Sequence, residues 1–167
     1  MPSTLARSSS AAAGMGRLLI GETERVGRFV AQRSPIELKE VADFGNFVGI
    51  GILRSDGVLA AGIVLSDWQP ACRRIELSGA VDDPRAISTQ IIISLGDYVF
   101  GQLAVYRLSA KTSKDNRRAL KLLEQLGFIR EGTMAGFYGP DQHAIMLRVL
   151  EPEWRKKWGR VPLKEAA

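Results

Sequence analysis

Residues 110–132, AKTSKDNRRALKLLEQLGFIREG, decide the fold. They follow AVYRLSAK (104–111), whose β-branched and aromatic residues suit a buried strand. Ser113 or Asp115 can cap the helix that comes next. In that helix Ala119, Leu122, Leu123 and Leu126 form an apolar stripe, while Arg117, Arg118, Lys121, Glu124 and Gln125 face away. Gly127 takes the C-terminal cap position and a strand begins again at once. GFIREGTMAGFYGPDQHAIMLRVL (127–150) then reads as two strands around the turn YGPDQ. A strand, helix and strand in that order predict a right-handed crossover packed on a sheet.

Upstream, GRLLI opens with a short apolar strand, and a helix is expected from about Glu22 to Arg33, closed by Ser34-Pro35. NFVGIGILRSDGVLAAGIVLSDW (46–68) is a hairpin signal, with Asp56-Gly57 supplying the positive-φ chemistry of its turn. Its flanks lack strict alternation, as expected of strands covered on both faces. A third strand follows at CRRIELSGAV (72–81). DDPRAISTQIIISLGDYVFGQL (82–103) has Asp82 or Asp83 as a cap, Pro84 in the first turn, and Ile87, Ile91, Leu95 and Val99 four residues apart, which predicts one long helix. The alternation of elements implies an α/β fold, a mixed sheet with helices on its faces.

The domain is expected to span 17–150. Residues 1–16, MPSTLARSSSAAAGMG, are small and polar without periodicity and are expected to be disordered. A basic tail is expected over 151–167. The chain of 167 residues is 46% hydrophobic and 25% charged, the composition of a globular domain. It has no apolar run long enough to cross a bilayer. One cysteine, Cys72, and one histidine, His143, leave no internal disulfide and no all-protein zinc site, so no metal is expected and a reducing cytoplasm fits. The net charge of +5 includes a cluster of Arg107, Lys111, Lys114, Arg117, Arg118 and Lys121. A nucleic-acid groove would interleave such residues with aromatics; here only Tyr106 is close, so a solvated face or a small-anion site is the better reading. Cys72 is expected to be buried and His143 to sit by a turn.

NRRALKLLEQLGFIREG resembles the C-terminal signature of the GNAT N-acetyltransferase superfamily, Asn-x-x-(Ala/Ser)-x-x-(Leu/Val)-x-x-x-x-Gly-Phe followed by Glu-Gly. The element order from about residue 17 to 150 agrees with that family's splayed central sheet. The resemblance implies an enzyme that transfers acetyl from acetyl-coenzyme A directly to a primary amine of a small molecule, peptide or protein. It places the cofactor between the strands IELSGAV and YRLSAKT. It implies cofactor contacts from Leu77, Ser78 and Gly79 on the first strand, from Val81, Arg85, Ala86, Ile87, Ser88 and Thr89 where the chain enters the long helix, and from Lys111, Asn116, Arg117, Ala119 and Leu123 beyond. Asn116 and Gly127 also admit a plainer role as the two ends of a helix.

Two departures bear on activity. The family's pyrophosphate loop, (Gln/Arg)-x-x-Gly-x-(Gly/Ala), is VDDPRA (81–86) here. Pro84 removes an N–H donor, and Asp82 and Asp83 put carboxylates near the phosphate position. Arg85 and the amides of Ile87, Ser88 and Thr89 are the expected compensation, with Lys111, Lys114 and Arg117 nearby. The tyrosine that many members use as general acid is Leu123, leaving Ser113, Tyr138 or water for that role; a thiol of pKa near 8.5 is already a tolerable leaving group. Glu76 is the candidate base, or else a surface partner of Arg73 or Arg74, and the N–H groups of Leu77 to Gly79 would polarise the carbonyl. The rival from another class is a GNAT-shaped binding or structural module without catalysis; nucleic-acid binding ranks below both. Residues 21–45 and FYGPDQ are expected to shape the acceptor pocket. The oligomeric state, monomer or homodimer, stays open.

Overall fold

The computed structural model describes residues 16–34 and 40–159. The expected disorder of the first residues, the role of Pro35 and the end of the basic tail fall outside them. Among the described residues seven strands form one mixed sheet. Chain order is β1 (Arg17–Ile20), α1 (Thr23–Arg33), β2 (Phe47–Leu53), β3 (Leu59–Gln69), β4 (Arg74–Val81), α2 (Thr89–Gly96), β5 (Arg107–Ser113), α3 (Arg117–Leu126), β6 (Ile129–Gly139), β7 (Gln142–Leu150) and α4 (Glu151–Trp158). Spatial order is β1-β2-β3-β4-β5-β7-β6, antiparallel everywhere except between β4 and β5.

The two sheet faces carry different cores because successive strand residues point opposite ways. Val64 of β3 packs with Val26, Phe29 and Val30 of α1, whereas its neighbour Leu65 packs with Ile92, Leu120 and Leu123 beneath α2 and α3. The β2–β3 turn is the expected one: Gly57 has φ 82° and the Asp56 carboxylate accepts the Val58 N–H at 3.1 Å.

Several boundaries differ from the sequence reading. The 82–103 helix starts later. Residues Pro84–Ala86 make a 3-10 turn capped by Asp83, and Ser88, not Asp82 or Asp83, caps α2 by accepting the Ile91 N–H. The last turn, Asp97–Gln102, widens into a π-helix. Helix α3 is capped by Asn116 itself rather than Ser113 or Asp115, and Leu120 joins Leu123 as its buried residues. Cys72 is exposed in the β3–β4 turn, not buried.

The domain does not end at residue 150, since the supposed tail begins with a helix. Trp154 of α4 is 6% exposed and packs at a tilt against the Phe100 and Trp158 rings, and the Trp158 indole N–H donates to the Leu126 carbonyl at 2.8 Å. A basic composition concealed this helix because its two tryptophans carry all the packing. Gly96 makes room for it: a Cβ there would lie 1.9 Å from the Trp154 Nε1.

Candidate active site

Strands β4 and β5 run side by side from Arg74↔Arg107 to Leu77↔Ala110, and there their ladder stops. Beyond it Ser78 to Val81 stay paired with β3 alone, and Lys111 to Ser113 with β7 alone. Alternate residues of an antiparallel pair direct their N–H and C=O groups to opposite edges. Part of this backbone therefore points into the gap with no strand to receive it. The gap opens into a cavity of about 430 Å³, within the range of small-molecule sites. Leu77, Ser78, Gly79 and Val81 line one side, Ala110, Lys111, Thr112 and Ser113 the other, and Asn116, Ala119 and Leu123 of α3 close one end. Ile92, Leu95, Phe100 and Trp154 lie on one face of the sheet, and Val30 and Arg33 of α1 on the other, so the cavity passes through the sheet.

The expected site residues divide. Leu77, Ser78, Gly79, Val81, Ile87, Lys111, Ser113, Asn116, Ala119, Leu123 and Tyr138 line the cavity; Glu76, Arg85, Ala86, Ser88, Thr89 and Arg117 do not. Ala86 is buried against Ile52, Ala61 and Ile91. Ser88 spends its hydroxyl on the helix cap. At the head of α3 it is Arg118, one residue on from Arg117, that lines the wall.

The 81–89 segment is a self-satisfied turn. The Asp82 and Asp83 N–H groups both donate to the Ala60 carbonyl, and those of Ala86 and Ile87 to the Asp83 and Pro84 carbonyls. The Arg85 N–H goes to the Asp83 carboxylate. Ile87 therefore has no spare amide, contrary to expectation, and Ser88 and Thr89 are the amides that the turn does not consume. Arg85 is not spare either: its guanidinium makes two bonds to Asp83 at 2.9 and 3.1 Å. The two acids are nonetheless contained. Arg33 grips both oxygens of Asp82 at 2.8 Å each while stacked on Phe29, and this bond holds the Asp82 carboxyl below its ordinary range. The Arg85 bond does the same for Asp83.

Glu76 pairs with neither Arg73 nor Arg74. Its Oε1 lies 2.8 Å from the Lys111 ammonium, with the two side chains 28% and 26% exposed. The pair exists because the parallel register sets Glu76 beside Ser109, two residues before Lys111 and so on the same face. The Phe137 ring lies 4.9 Å from the same ammonium, edge-on to Tyr138. Phe137 reaches it from a bulge that the sequence did not reveal: Ala135 to Tyr138 of β6 face His143 alone across the ladder. His143 holds the bulge, its Nδ1 accepting the Gly136 N–H at 2.9 Å, so the histidine is a structural pin. Asn116 Oδ1 accepts the Ala119 N–H at 3.1 Å, which leaves its NH₂ donors for the cavity. The Ser113 hydroxyl accepts the Asp115 N–H.

The site so built is a slot between parting parallel strands, with backbone donors on one edge, a capping asparagine at one end and a carboxylate beside its apex. A mixed sheet splayed in this way, with α1 on one face and α2, α3 and α4 on the other, is the fold of the GNAT N-acetyltransferases. No family model and no curated protein matches the sequence. Solved structures do. A mutant form of the spermidine/spermine N-acetyltransferase SpeG from Vibrio cholerae has a TM-score of 0.68 at 16% identity, covering 86% of this chain and 99% of its own. A single-site mutant of the spermidine N-acetyltransferase SpeG gives 0.69 at 15% identity over 86% and 98%. A dodecameric form of the same Vibrio enzyme gives 0.67 at 16% identity over 86% and 98%. Among the described residues no helix is long and apolar enough to cross a membrane.

Proposed function

We propose that this protein is an N-acetyltransferase that moves acetyl from acetyl-coenzyme A to a primary amine. The carrying observation is the parting of β4 from β5 after Leu77 and Ala110, with a cavity that both strands and Asn116 line. The coenzyme supplies an acyl group on a thiol leaving group. The chain's own residues do the rest. The free edge of Ser78 to Val81 binds the amide-bearing arm by strand-like hydrogen bonds, and the Asn116 NH₂ adds a donor. N–H groups from Leu77 to Gly79 stabilise negative charge on the carbonyl oxygen. Glu76 takes the proton of the incoming amine, and Ser113 or Tyr138 on the cavity wall returns one to the sulfur. Spermidine is the acceptor that the similar Vibrio enzymes' names carry, and an amine acceptor fits a slot with a carboxylate at its apex.

For the phosphates, the cations Lys114, Arg117 and Arg118 at the head of α3 stand in for a loop whose own amides are mostly spent. That loop is also what favours the rival reading, a binding module of the same shape without catalysis. Titration calorimetry with acetyl-coenzyme A, followed by a thiol-release assay over a panel of primary amines, tests both. Saturable heat with amine-dependent thiol release is expected. Absence of heat at high micromolar coenzyme overturns the transferase, and heat without release for any amine leaves the binding module.

A further inference from the structure

The ammonium of Lys111 occupies the place where an acceptor amine would be deprotonated. The residue follows directly on the last β4–β5 pair and lines the cavity. Its Nζ is 2.8 Å from Glu76, the carboxylate assigned to take a proton from the acceptor. The Phe137 ring at 4.9 Å holds it there, and at 26% exposure it is largely withdrawn from solvent. Among the described residues Lys111 is the one lysine paired with a carboxylate. Lys114, Lys121 and Lys156 are exposed without such a partner, and Lys157 lies over the Trp158 ring.

We infer that Lys111 is itself an acceptor, so that the protein acetylates its own β5 strand. This rests on the acetyl-coenzyme A reading of the slot. Glu76 withdraws one proton from the Lys111 ammonium and the freed amine forms the new C–N bond to the acyl carbon. The C–S bond breaks with its electron pair on sulfur. The second proton lost by the nitrogen passes to that thiolate, and the first leaves Glu76 for water. Thioester and ammonium thus become amide, thiol and one proton, with no other reactant required. The modified side chain carries no charge, and Glu76 is released from its ion pair.

The test is to incubate the full-length protein with acetyl-coenzyme A, then follow intact mass and map the modified peptide, with calorimetric binding measured on the same sample. One acetyl group per chain is expected, on Lys111, with a rate constant independent of protein concentration because donor and acceptor sit in one complex. The Glu76→Gln protein is expected to acquire it about 10²-fold more slowly, and Lys111→Arg to lack it. If the coenzyme binds and Lys111 stays unmodified, or if label spreads over Lys114, Lys121 and Lys156, self-acetylation is wrong while the coenzyme reading stands. If nothing binds, both fall together.

Discussion

At the scale of single residues, Glu76 and Asn116 carry separable predictions. Glu76 is half-buried on the α1 face of the sheet and does not itself line the cavity, so replacing it removes a proton acceptor and leaves the residues of the cavity wall in place. Glu76→Gln is expected to lower kcat for amine acetylation by about 10² to 10⁴ while the calorimetric Kd for acetyl-coenzyme A stays within error. A parallel loss of binding would show that Glu76 holds the slot open instead. Asn116 has two duties, its oxygen capping α3 and its NH₂ facing the cavity. Asn116→Ala is expected to cost about 1 kcal/mol of stability. Asn116→Ser keeps an N-cap acceptor but shortens the donor's reach, so it should leave the urea midpoint nearly unchanged and still weaken coenzyme binding.

At the scale of elements, α4 and the end of α2 form one packed unit. Gly96 is within van der Waals overlap of Trp154 for any added Cβ. Gly96→Ala is therefore expected to destabilise by about 1–3 kcal/mol through overpacking, and Trp154→Ala by about 3–5 kcal/mol through the void it leaves. Both are read from urea unfolding. Trp154 also lines the cavity, so its loss is expected to soften coenzyme binding as well as the core. A pattern reading misses this helix because only Trp154 and Trp158 among its eight residues are apolar apart from Pro152. The bulge of β6 escapes for a related reason. Gly136 and Gly139, with φ of 65° and 139°, permit it, but permission in the sequence does not say that four residues will bow out against His143.

At the scale of the whole molecule, the positive charge that looks uniform in composition is partitioned by folding. Arg107 is bonded to Glu131 and Lys111 to Glu76, while Lys114, Arg117, Arg118 and Lys121 remain exposed before and along the start of α3, with Arg118 on the cavity wall. Reversing Lys114 or Arg118 to Glu is expected to weaken acetyl-coenzyme A by roughly 2- to 5-fold per charge, an effect that about 1 M salt abolishes. The paired acids set the response to pH. The Arg107 hydrogen bond, then Arg148, holds the Glu131 carboxyl below its ordinary value of 4.5, and Arg33 does the same for Asp82 below 3.8. A carboxylate with a lowered folded value adds stability that is complete above its unfolded value and is lost as pH falls through the folded one. Urea midpoints should therefore hold from neutrality down to about 4.5 and fall below it, and Glu131→Gln should flatten that fall.

The strands that would part were indicated by the likeness to the GNAT signature; the sequence by itself determined the order of elements up to β7, the hairpin turn at Asp56-Gly57 and the close of α3 at Gly127. These depend on periodicity and on residues whose backbone preferences act within a few positions. Tertiary structure alone decided that Glu76 meets Lys111, that Arg33 engages Asp82, that Phe137 reaches the Lys111 ammonium from a bulge, and that a basic C-terminal segment closes the core through Trp154. Each is a meeting of side chains far apart in the chain. Strand register and helix placement bring them together, and one-dimensional spacing holds no record of either.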